Sequence, residues 1–102
     1  MPDPLALPVS ESDTALDRGW RIVLFNDDVT PIDVVIHGLQ RACGLSEEVA
    51  EMVALEAHHE GSAVVRRALT QAEAERQCGQ LTAFTRIPRL CPGVRCRAER
   101  DE

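Results

Sequence analysis

The stretch Trp20-Arg21-Ile22-Val23-Leu24-Phe25 runs directly into Asn26-Asp27-Asp28 and then Thr30-Pro31, and nothing else in the chain restricts its fold so tightly. β-Branched and aromatic residues ended by a turn-forming polar cluster predict a strand. Thr30 as N-cap, Pro31 at the first helical position and Asp33 in the first turn predict a helix immediately afterwards. Val34, Val35, Gly38, Leu39 and Ala42 recur at helical spacing, and Gly44 stops the element. The chain must therefore turn a polar corner at a strand end, where binding sites are commonly built.

Ser46 with Glu47 and Glu48 opens a second helix, which Val49, Ala50, Met52, Val53, Ala54, Leu55 and Ala57 continue until Gly61, giving an αα-hairpin. Ser62–Leu69 is short, β-branched and interrupted by Arg66-Arg67, so it reads as a strand pair or hairpin. Thr70 and Glu73 form a capping box, and Ala74, Cys78, Leu81 and Phe84 give a third helix an apolar stripe to about Thr85. Pro88 and Pro92-Gly93 break the chain, and Val94–Arg97 reads as a closing edge strand whose arginines suit water. The expected fold is a small single α+β domain, β-α-α-β-α-β, with helices on one face of a three-stranded antiparallel sheet.

Residues 1–19 hold three of the six prolines, several acids and no helical or strand period, so they are expected to be a flexible amino-terminal extension. The domain itself is expected over residues 20–98, with a charged end at 99–102. No apolar run approaches the ~20 residues of a membrane span, and the acidic start does not suit an export signal, which predicts a cytoplasmic protein with no membrane partner. Cys43, Cys78, Cys91 and Cys96 are then expected to be reduced, with no disulfide. Seventeen acids against eleven arginines give a net charge of -6, which argues against nucleic acid and favours cationic partners.

Turn chemistry alone accounts for Asn26-Asp27-Asp28, and a favourable helix dipole alone accounts for His58 and His59 in a last turn. The two segments gain meaning together. A folded-back hairpin brings the end of the second helix beside the start of the first, so that Asn26, Asp27 and His58 converge. An amide oxygen, a carboxylate and a neutral imidazole nitrogen are all acceptors, a set that suits a primary ammonium group. An apolar hollow beside them would select the side chain attached to that amine. Metal binding fits less well, because His58 and His59 point about 100° apart on a helix and Cys91-x4-Cys96 has no matching second pair. Neither a glycine-rich phosphate loop nor a nucleophile elbow is present, so no enzyme, metal or cofactor is expected.

Taken in order, LFNDDVTP, the Leu39-Gln40 pair, SEEVAEMV, His58-x-x-Gly61 and TQAEAE make the sequence resemble the ClpS adaptors over about Trp20 to Arg97. That resemblance implies a non-enzymatic, monomeric adaptor that recognises amino-terminal degrons and hands the bound protein to the AAA+ unfoldase of a Clp protease, of ClpA or ClpC type. It implies that Asn26, Asp27 and His58 hold the α-amino group. The first side chain, Phe, Tyr, Trp or Leu, would enter a pocket of Asp28, Thr30, Ile32, Val35, Ala54 and Ala57. Ile32 stands where the family commonly has a gatekeeping methionine, and Ala54 and Ala57 where larger residues are usual, so a wider cavity is implied. Gln77 stands where a lysine is common on the unfoldase-facing surface. The alternatives are a module of the same fold that modulates the unfoldase or binds other amino termini, and a small metal- or thiol-dependent enzyme.

Overall fold

The computed structural model describes residues 17–101. Strand β1 (Trp20–Phe25) is followed by helices α1 (Ile32–Cys43) and α2 (Glu47–Glu60), strand β2 (Ser62–Leu69), helix α3 (Gln71–Phe84), the short strands β3 (Arg86–Ile87) and β4 (Cys91–Pro92), and strand β5 (Arg95–Arg100). A three-stranded antiparallel sheet has the order β2-β1-β5, with a separate β3-β4 hairpin. The expected α+β architecture is the one observed. Of the expected extension, residues 1–16 lie outside the described residues. Asp17 and Arg18 pair with Arg100 and Glu73.

β1 occupies the centre because both its edges are paired, and Ile22 and Leu24 on its helix-facing side are fully buried. Against them sit Leu39 and Ala42 of α1, Val53, Ala54 and Ala57 of α2, and Ala74, Cys78 and Leu81 of α3. The opposite side carries Phe25, covered by the guanidinium groups of Arg95 and Arg97 at 5.6 and 5.2 Å from the ring centroid. Long arginine stems thus shield apolar sheet surface while their charged heads stay in water.

Local signals set most element ends. Ser46 accepts from the Val49 N–H, and Gly61 closes α2 in the left-handed region, which a residue without Cβ reaches freely. Thr70 and Glu73 form the predicted capping box. Several details differ from expectation. The closing strand is Arg95–Arg100 and not Val94–Arg97, and the β3-β4 hairpin was not expected. Thr30 does not cap α1: its N–H and hydroxyl are both bound by Asp27, and Pro31 becomes the N-cap, without a side-chain cap bond. Ser62–Leu69 is one strand and not a pair, because extra residues are absorbed as bulges around Arg66 and Ala68 takes φ 59°. Phe84 lies outside the buried stripe of α3, its ring exposed beneath Arg41 at 4.9 Å.

Candidate functional site

β1 ends at Phe25, which pairs with Ser62, the first residue of β2, and the Asn26 N–H donates to the Gly61 carbonyl at 3.0 Å. Since β2 follows α2 after a single capping residue, this pairing holds the last turn of α2, with His58, against the Asn26-Asp27-Asp28 turn. The convergence expected from the helical hairpin is therefore secured by strand pairing as well.

Asp27 is the organiser of the turn. Its Oδ1 accepts from the N–H groups of Val29 and Thr30 at 3.0 and 2.9 Å, and its Oδ2 from the Thr30 hydroxyl at 2.7 Å. Partial burial opposes its charge, but the bonds from the Thr30 N–H, the Thr30 hydroxyl and the Val29 N–H outweigh that and hold the carboxyl below its ordinary value. A depressed carboxyl stabilises the fold above its unfolded value and loses that contribution as pH falls through the lower folded value. Protection of the Val29 and Thr30 amides from exchange should accordingly stay constant from neutral pH down to about 4 and fall below it. Amide exchange followed by NMR checks this, and early loss of protection near neutrality would contradict it.

A carboxylate has about four acceptor positions. Three of those on Asp27 are occupied, so one on Oδ2 remains. Asn26 donates its side-chain amide to Asp28 Oδ1 at 2.8 Å, which turns its carbonyl oxygen into the available end. Asp28 holds this position at φ 58°, a left-handed conformation that aspartate tolerates better than most residues. The carboxyl end of α2 adds the negative pole of its dipole to the same corner. The corner is built from acceptors.

Beside it opens a recess of about 240 Å³. All nine residues singled out in the sequence line it: Asn26, Asp27 and His58 on the polar side, with Asp28, Thr30, Ile32, Val35, Ala54 and Ala57 around the hollow. The volume is below the ~300–1,000 Å³ typical for drug-sized ligands, a size suited to one side chain and its amine. Ala54 and Ala57 are buried in its wall, while Ile32 is 37% exposed at its mouth.

Sequence reasoning missed Leu24, Phe25 and Val94, which also line the recess. The alternation within β1 was signal enough to place Leu24 inward. Val94 carried no such signal. Its carbonyl accepts from the Thr82 hydroxyl at 2.8 Å and its N–H donates to the fully buried Thr85 hydroxyl at 2.9 Å, so α3 fixes this wall from a distance in sequence. Among the described residues no group of three or more His, Cys, Asp and Glu side chains is arranged to hold a metal ion, and no helix is long and apolar enough to cross a membrane.

Comparison with known proteins gives a consistent result. The sequence model of the family described as ATP-dependent Clp protease adaptor protein ClpS matches residues 15–90. A Deinococcus radiodurans protein named ATP-dependent Clp protease adapter protein ClpS is 36% identical over 75 residues, covering 74% of this chain and 66% of its own length. A Vibrio cholerae protein of the same name is 39% identical over 75 residues, covering 71% and 70%. The match thus spans about two thirds of these relatives' length. The solved structure of Agrobacterium tumefaciens ClpS2 bound to L-phenylalaninamide superposes with a TM-score of 0.61 at 24% identity, over 79% of this chain and 94% of that one, a likeness of fold.

Proposed function

This chain belongs to the ClpS family of ATP-dependent Clp protease adaptor proteins, and on that premise we propose that it captures proteins by a free amino terminus whose first residue is bulky and apolar, and delivers them to a Clp unfoldase. The observation that carries the reading is the shared lining of one small recess by Asn26, Asp27 and His58 together with Ile32, Val35, Ala54 and Ala57. An ammonium needs acceptors, and a neighbouring apolar side chain needs a dry hollow. L-Phenylalaninamide, the ligand of the Agrobacterium relative, joins those two features in one molecule.

In this reading the chain does no bond-breaking. The α-amino group donates to the remaining lone pair of Asp27 Oδ2, to the Asn26 side-chain carbonyl and to the His58 imidazole. The first side chain enters between α1 and α2, where the small Ala54 and Ala57 favour the larger members of the set Phe, Tyr, Trp and Leu. The adaptor domain acts as a monomer in the cytoplasm and presents its cargo to an AAA+ unfoldase of ClpA or ClpC type.

Titration of peptides that differ only in the first residue tests the proposal, with tight binding expected for Phe, Tyr, Trp and Leu and little for Gly, Ser or Asp. Equal affinity across the panel would refute it. Asp27→Asn retains an oxygen for the Val29 and Thr30 amides but removes the charge that faces the ammonium. It is expected to weaken a Phe-first peptide by about tenfold to a hundredfold, the effect of roughly 1.5–3 kcal/mol for one charge-assisted bond. Calorimetry on the variant, with its circular dichroism unchanged, measures this directly.

A further inference from the structure

Two thiols outside the amine-binding corner face one another across the core. Cys78, in the middle of α3, and Cys96, on the edge strand β5, have their Sγ atoms 2.6 Å apart. Cys96 also lines a shallow surface groove of about 650 Å³ beside Thr82, Gly93 and Arg95, which gives a small solute a route to the pair without unfolding. The other thiols differ in setting. Cys43 is deeply buried, and burial pushes it up to about 11. The Cys91 thiol donates to the Thr85 carbonyl at 3.3 Å.

We propose that Cys78 and Cys96 form a reversible dithiol–disulfide site which, on oxidation by a peroxide, fastens β5 to α3. The two sulfurs share one contact in which either thiol can donate; it holds Cys78 below the ordinary thiol value and, with burial, pushes Cys96 up. The thiol that gives up its proton is the nucleophile and its partner the resolving thiol. That thiolate attacks one peroxide oxygen: an S–O bond forms, the O–O bond breaks, and the departing hydroxide takes up a proton as water. The partner sulfur then displaces the hydroxyl of the sulfenic acid. An S–S bond forms, the S–O bond breaks, and the partner's proton leaves with the hydroxyl as a second water. Two electrons pass from the thiols to the peroxide, and a small thiol returns them by exchange.

The bridge would lie two positions from Val94 and pin the strand that follows this wall of the recess. Cross-linking two separate elements restricts the unfolded chain, so oxidation is expected to raise the unfolding midpoint by about 10 °C.

The test uses the full chain treated with one equivalent of hydrogen peroxide, followed by alkylation, digestion and mass spectrometry. Two of the four thiols should resist alkylation, in a Cys78 peptide joined to a Cys96 peptide, and dithiothreitol should restore both. Cys43→Ser should behave as the parent does. A linkage through Cys43 or Cys91, four thiols still alkylated, or sulfinic acid on Cys78 or Cys96 without a bridge would each overturn the proposal. Peptide affinity measured on the reduced protein is a separate readout, so either conclusion can fail alone.

Discussion

Acetylating the amino terminus of a Phe-first peptide is expected to reduce its affinity by at least about a hundredfold, although the side chain offered to the recess is unchanged. The free terminus supplies a positive charge and three N–H donors, whereas the acetylated one supplies a neutral amide with a single donor and an additional carbonyl. Around the corner three acceptors are available: the remaining position on Asp27 Oδ2, the Asn26 carbonyl oxygen freed by the bond to Asp28, and a ring nitrogen of His58. An added carbonyl there is set against the Asp27 carboxylate and the Asn26 carbonyl oxygen. Two charge-assisted bonds are lost, each worth about 1.5–3 kcal/mol, and a hundredfold corresponds to about 2.7 kcal/mol, so the expected loss is a lower bound. Fluorescence anisotropy with matched free and acetylated peptides measures it. Equal binding would mean that the recess reads the side chain alone and that the acceptor corner is only a structural turn.

How much of this was legible in the residues depends on whether the governing interaction is local. Ser46 and Thr70 declared themselves because a cap is satisfied by the backbone three residues away. Asn26, Asp27 and His58 were legible from their acceptor chemistry and the fold-back of the hairpin, whereas Asp28, Thr30, Ile32, Val35, Ala54 and Ala57 were named through the resemblance to the ClpS adaptors; all nine line the recess. Thr30 was misassigned because Asp27, an equally local competitor with a full negative charge, takes both its N–H and its hydroxyl. Competition between neighbouring side chains for the same backbone groups cannot be settled by listing preferred caps. The bulged course of β2 depends on its pairing with β1, and Arg66 reaches over to the Cys43 carbonyl at 2.7 Å, a bond no local pattern encodes. The opposition of Cys78 and Cys96 arises in the same way, from α3 lying along β5.

Val94 shows most clearly how tertiary geometry finishes the site, and the residue before it carries the second large expectation. Gly93 has φ +99°, a region in which L side chains are strained, and a Cβ built there would collide with the Thr82 backbone carbonyl. That carbonyl belongs to α3 and cannot rotate away as a flexible side chain would. Gly93→Ala is therefore expected to cost about 3 kcal/mol, the strain and the overpacking acting together, and to lower the unfolding midpoint by roughly 10 °C or more. Relief of the clash must move the chain away from α3, which lengthens the bonds that Thr82 and Thr85 make to Val94 and shifts a wall of the recess. Peptide affinity should fall as well, even at temperatures where the variant is fully folded. Gly79→Ala supplies the contrast: its Cβ meets nothing within 4 Å, and a glycine inside a helix is less favourable than alanine by about 0.5–1 kcal/mol. It should leave binding intact and raise the midpoint slightly. Thermal unfolding and peptide titration of the two variants side by side decide the matter, and a Gly93→Ala protein as stable and as competent as the parent would show that Val94 does not depend on this close approach.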